Sequence, residues 1–144
     1  MLHDKFLPIF QEIQNERDSQ DLKFGIKNYK MVDRFFFSKE TLIALSEKYK
    51  RFNKTATKPS WLNILLEEIY EAFSETKIDK QRSELIQVAA VTIAVIEYLD
   101  RKIIGKTCEV FLETEPENQR QQMVRVAATA VALIEYLDRR IGNV

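Results

Sequence analysis

Apolar positions recur along this chain at three- and four-residue spacing, the period of a helix with one buried face. Phe6, Ile9, Phe10 and Ile13 begin the pattern, and Pro8 falls near the start, where a helix tolerates it. The pattern fades near Gln20, and Phe24-Gly25 opens a loop. Ser38 is the expected N-cap of a second helix over about 39–53, with Leu42, Leu45 and Tyr49 on one side. Lys58-Pro59-Ser60 then stops and restarts the chain. Ser60 can cap a third helix from Trp61 to about Thr76, apolar at Leu62, Leu65, Leu66, Ile69 and Phe73. After a break at Lys77–Asp79, a fourth helix is predicted to run to about Ile103. Gly105 sits where a C-terminal cap is expected.

A second pattern overlies the first. Residues 71–105 and 109–143 align at a spacing of 38, with 17 of 35 positions identical, including both IEYLDR segments. This is a duplicated helix–turn–helix end, and two copies are too few for a solenoid. The expected arrangement is a hairpin packed on its twin. Within each copy, Val88–Ile96 and Val126–Ile134 are apolar almost all round and rich in Ala, the character of helices buried on most sides. One all-α domain over 1–144 is predicted, a bundle of antiparallel long helices. Residues 1–60 supply N-terminal helices and a loop, 61–105 a hairpin, and 106–144 its degenerate repeat. The all-round apolar helices over 85–103 and 123–141 predict at least a homodimer, with the repeat helices at its interface.

Composition narrows the chemistry. Gly and Pro together are 6 of 144 residues, about 4%, against roughly 12% in average usage. Few tight turns are possible, which excludes most all-β folds. One His (His3) and one Cys (Cys108) cannot build a disulfide framework, a Cys/His zinc site or a His-dependent triad. Metal or acid–base chemistry must therefore use carboxylates, amides, Lys or Arg. No secretory leader and no transmembrane stretch is visible, so a cytoplasmic setting is expected. Zero net charge disfavours a nucleic-acid binder. The charge is uneven, however. Residues 1–60 hold 12 basic and 8 acidic groups, and residues 61–105 hold 5 and 8. A cationic first part beside an acidic middle suits an anionic ligand held through a metal.

The acidic middle has a spacing of its own. Glu67 and Glu71 are four apart and Glu68 and Glu71 three apart, so all lie near one face of the third helix. The fourth helix offers Glu84 and Gln87, again three apart. Glu71 and Glu84 each stand five residues from the turn, about 7.5 Å along their helices. An antiparallel hairpin therefore brings three carboxylates and one amide to a single point. Acidic residues on a helix are commonly a solvated face. Here, like charges at these spacings destabilise a helix unless something neutralises them. The flanking Leu65, Leu66, Ile69 and Leu85 also place the acids beside the core stripe. Oxygen donors without His or Cys suit Mg²⁺ or Mn²⁺. Glu97 and Asp100 repeat an ExxD spacing, but Glu97 lies 13 residues past Glu84, about 19.5 Å along the helix, and cannot join them.

EExxE followed by ExxD on the next helix marks the all-α nucleoside triphosphate pyrophosphohydrolases, the MazG and dimeric dUTPase superfamily, and this chain resembles it with Glu67-Glu68-x-x-Glu71 and Glu84-x-x-Gln87. ERDSQDLKFGIKN (16–28), SWLNILLEEIYEAFSE (60–75) and RSELIQVAAVTIAVIEYLDRK (82–102) are similar to MazG-like proteins of bacteria and phages, in order, over about residues 10–102. The resemblance implies a helical bundle, Mg²⁺ (or Mn²⁺) dependence, cleavage of a nucleotide between its α- and β-phosphates, and dimers or higher assemblies. It carries Glu68, Glu71 and Glu84 over as metal ligands, with Glu67 as a water-orienting group beside Glu71 in catalysis. The superfamily's Asp falls on Gln87, which offers a carbonyl oxygen but no charge, as in other members of this subgroup. Lys23 and Phe24 fall on a K-W pair, which suggests a phosphate contact and a base-stacking ring. Arg17 and Asn28 are further substrate-binding candidates.

The second copy keeps Glu109 for Glu71 but has Lys106, Gln122 and Arg125 where the first has Glu68, Glu84 and Gln87. A cation in a ligand position cannot hold Mg²⁺, so the second hairpin is structural, or it supplies Arg120 and Arg125 to a phosphate. The leading expectation is a pyrophosphohydrolase acting on a nucleotide. A non-catalytic protein that sequesters a signalling nucleotide, of the kind a phage would encode, is the alternative, and a helical assembly protein the third.

Overall fold

Two serines set where the second and third helices begin, and one glycine sets where the first ends. The computed structural model describes residues 3–25, 29–105 and 116–142, and among these it forms five helices and no strand. Helix α1 spans His3–Phe24, α2 Lys39–Thr55, α3 Trp61–Ser74, α4 Ile78–Gly105 and α5 Pro116–Gly142. Ser38 Oγ accepts from the Thr41 amide at 3.1 Å, and Ser60 Oγ from the Asn63 amide at 3.2 Å. Both side chains satisfy amides that a helix start otherwise leaves free. α1 runs one turn past the predicted Gln20. Polar pairs at i,i+4 (Gln14–Asp18, Glu16–Gln20, Arg17–Asp21) carry the helix after its apolar pattern stops. Gly25, at φ 69°, then ends it in the left-handed region that glycine adopts without strain, its amide donating to Asp21 O at 2.8 Å.

The repeat governs the middle of the molecule. α4 begins at Ile78 and α5 at Pro116, again 38 residues apart, and the two copies pack on each other as an antiparallel pair. Arg82 of α4 pairs with Asp138 of α5, and Arg120 of α5 pairs with Asp100 of α4. Each bridge is the other's image under the 38-residue spacing, so the helix pair has pseudo-two-fold symmetry. Leu99 and its equivalent Leu137 are both buried. The expected packing of one copy on its twin is thus met within a single chain by the long helices. The apolar faces that suggested a homodimer interface lie in part against each other. Residues 106–115, the front of the second copy with Lys106, Cys108 and Glu109, lie outside the described residues.

Two apolar clusters hold the remaining helices to this pair. On one side α1 places Ile9 and Ile13 against Ile96, Val124, Ala127 and Ala128, where the small residues allow close approach. On the other, Leu65 and Ala72 of α3 pack with Leu85, Val88, Ala130 and Leu137. α2 covers α3, with Tyr49 stacked on Tyr70 at 5.7 Å. The fully buried Thr92 hydroxyl donates to Val88 O at 2.7 Å, so its burial leaves no donor unpaired.

Arg120 is one of the two second-copy cations read as structural or phosphate-binding, and it is structural. Its guanidinium grips Glu12 of α1 at 2.6 and 2.8 Å while holding Asp100. Those bonds hold the Glu12 carboxyl below its ordinary pKa and raise that of Arg120. Arg120→Ala strands two carboxylates, and a loss of about 1–3 kcal/mol is expected, several degrees of Tm. Arg82→Ala removes an exposed pair and is expected to leave Tm nearly unchanged. Thermal unfolding of the two variants side by side checks the difference.

Candidate metal centre

The α3–α4 hairpin is closed by its own side chains. Glu75 accepts at Oε1 from the amides of Thr76 and Lys77, at 2.9 and 3.1 Å, which fixes the turn and lowers its pKa. Gln81 is buried and donates to Ala72 O and Glu75 O across the hairpin. Leu85 fits beneath Leu65 and Ala72. With the register set in this way, Glu84 comes opposite the acids of α3.

Carboxylate oxygens of Glu68, Glu71 and Glu84 lie within 4.8 Å of one another, each side chain half-buried. Glu68 Oε2 and Glu84 Oε2 are buried and accept no hydrogen bond from the described residues. Burial pushes the Glu68 carboxyl above its ordinary pKa, and the charges of Glu71, Glu67 and Glu84 push it further. Glu84 is raised too, again by burial first and then by Glu71 and Glu75. Lys50 of α2 opposes both shifts, with its Nζ 3.5 Å from Glu71 Oε1. Asn53, also on α2, donates from Nδ2 to Glu67 Oε2 at 2.6 Å and to Asn63 O at 3.0 Å. Three convergent carboxylates, two of them with orphaned buried oxygens, form an all-oxygen donor set. That set fits a hard divalent cation such as Mg²⁺ or Mn²⁺. A cation there would relieve both the like-charge repulsion and the missing acceptor partners.

The other expected site residues are placed differently. Gln87 is exposed, one turn beyond Glu84 on α4. Lys23 and Phe24 end α1, with Lys23 Nζ 5.1 Å from the Phe24 ring centre and Phe24 itself 55% exposed. Phe24 lines a cleft of about 330 Å³ with Arg17, Tyr29, Lys30, Tyr136 and Arg139. Lys23 and Phe24 also border a neighbouring cleft that includes Arg125. Neither cleft is lined by Glu68, Glu71 or Glu84. Arg17 is 6% exposed and bound to Asp21 at 2.7 Å and Glu135 at 2.9 Å. Burial disfavours its charge, but the two ion pairs outweigh that and raise its pKa. Arg17 therefore holds α1 to α5 and at the same time lines the Phe24 cleft. Asn28 lies outside the described residues.

Lys50 and Asn53 were not legible as site residues. They sit in a polar run, YKRFNK, and only the charge asymmetry between the first and middle parts hinted at them. Compared with protein-family models, curated proteins and solved structures, the chain matches none.

Proposed function

We propose that the chain is a divalent-metal-dependent nucleotide pyrophosphohydrolase of the MazG-like, all-α kind. The observation that carries this reading is the convergence of Glu68, Glu71 and Glu84, with two buried oxygens left unpaired among the described residues. Glu68, Glu71 and Glu84 would hold Mg²⁺ or Mn²⁺, with the Gln87 carbonyl nearby as a weaker donor. Bound there, the cation supplies electrostatic stabilisation of charge developing on the phosphates. Asn53 fixes one oxygen of Glu67, and the other is available to accept a proton from the attacking water. Lys50 limits the repulsion around Glu71 and presents a cation beside the site. Water attacks the α-phosphorus, the bond to the bridging oxygen breaks, and nucleoside monophosphate and pyrophosphate leave.

One observation favours a second reading, in which the protein retains a nucleotide without cleaving it. The position of the family's fourth acid holds Gln87, which carries no charge, and tight ground-state binding alone gives no turnover. Incubation with a mixed nucleotide pool and Mg²⁺ or Mn²⁺ separates the two. Release of pyrophosphate, increased in Gln87→Asp, is the expected result. If wild type and Gln87→Asp both leave every nucleotide intact while wild type retains one tightly, the hydrolase reading fails.

A further inference from the structure

The pseudo-two-fold pair of α4 and α5 has two equivalent outer faces, and the chain has one α1 to cover them. On α5 the face consists of Arg120, Val124, Ala127, Ala128, Val131 and Glu135. Val124, Ala127 and Ala128 are at most 2% exposed beneath Ile9 and Ile13. Arg120 takes Glu12 at one end, and Glu135 takes Arg17 at the other. Subtracting 38 places Arg82, Ile86, Ala89, Ala90, Ile93 and Glu97 at the same positions on α4. There Ile86 is 45% exposed and Ala90 is open to solvent, while Ala89 and Ile93 at the inner edge pack against the two core clusters. Glu97 is half-buried, with no hydrogen bond or ion pair among the described residues. Arg82 holds Asp138 as Arg120 holds Asp100, but no counterpart of Glu12 reaches it among the described residues.

We propose that this face of α4 is a docking seat for an amphipathic helix of a partner protein. The helix would carry α1's own pattern: two aliphatic residues four apart, an acid just before the second, and an arginine four places after it. Its aliphatic residues would cover Ile86 and Ala90, beside Ile93, which already packs against the cluster beneath α1; its arginine would meet Glu97, and its acid would meet Arg82. The charge arrangement supports this choice, because Arg82 and Glu97 duplicate the two groups that orient α1 on α5. A second copy of this chain could supply such a helix only by emptying its own α5 seat, which exchanges like for like.

A fluorescently labelled synthetic peptide of residues 3–24, titrated with the full-length chain, tests the seat. Saturable binding of one peptide per chain is expected. Ile86→Asp and Glu97→Lys in the chain should each weaken binding by at least ~10-fold, the scale of one interface anchor. A peptide carrying Arg17→Glu should recover binding to the Glu97→Lys chain. Both substitutions are at the unoccupied face, and circular dichroism confirms that the variants are folded. Three results would overturn the proposal. These are no saturable binding to the folded chain, binding that responds to Glu135→Gln instead of Glu97→Lys, or a dimeric chain that Ile86→Asp converts to monomer. The second would mean exchange at α1's own seat, and the third would make the occupant a second copy.

Discussion

Glu71→Gln is expected to reduce pyrophosphate release by roughly 100-fold or more, the scale set by loss of a ligand or a general base. Glu71 stands at the centre of the cluster. Its carboxylate lies within 4.8 Å of both Glu68 and Glu84, its charge raises the pKa of both, and Lys50 is drawn to it. Gln keeps the shape and removes the charge that a divalent cation needs. Glu97→Gln serves as the comparison, since it lies about 19.5 Å along α4 from Glu84, and turnover should be unchanged. Steady-state pyrophosphate release for the three proteins, at saturating Mn²⁺, gives the answer. Equal rates for wild type and Glu71→Gln would remove the acidic cluster from the mechanism.

The second large effect is an inversion of stability. Without metal, Glu68→Gln should raise Tm at neutral pH, because the ionised Glu68 is disfavoured by burial and by three like charges. A carboxyl with a raised native pKa binds more protons folded than unfolded between the two values. Its contribution therefore declines as pH rises from the ordinary 4.5 through the raised native value. The wild type should lose stability relative to Glu68→Gln across that window. Glu12 and Asp138 are shifted the opposite way, so their contributions are lost as pH falls. They cancel in the difference between the two proteins. Adding Mn²⁺ should reverse the order. At ~100 times the dissociation constant, linkage stabilises the wild type by about 2.7 kcal/mol, roughly 5–10 °C for a chain of this size. Glu68→Gln should lose most of that rise. Thermal scans from acid to neutral pH, with and without Mn²⁺, check both halves. Identical metal responses would show that the three acids do not form a cation site.

Much of the candidate site was legible because helices have a fixed period. The i,i+3 and i,i+4 spacing of Glu67, Glu68 and Glu71 and the equal distances of Glu71 and Glu84 from the turn were enough to place three acids together. Arg17, Lys50 and Asn53 show the limit of that reasoning. Lys50 and Asn53 reach Glu71 and Glu67 across 21 and 14 residues, and Arg17 reaches Glu135 across 118. No local pattern records such pairs, because their partners are chosen by which helix faces happen to be packed together.

By itself, the sequence determined the all-α architecture, the serine caps at Ser38 and Ser60, the repeated long helix and the acidic cluster. Each depends on local backbone preference or on periodicity within one hairpin, where the turn leaves little freedom of register. Tertiary structure alone decided that the two repeats pair through Arg82–Asp138 and Arg120–Asp100, and that α1 takes the α5 face while the equivalent α4 face stays open. It also decided that Arg17 is an interhelical clamp. The two faces are nearly identical in sequence, so local propensity cannot distinguish them. The choice rests on the packing of Ile9 and Ile13 over Val124, Ala127 and Ala128, together with two ion pairs whose partners are more than a hundred residues apart.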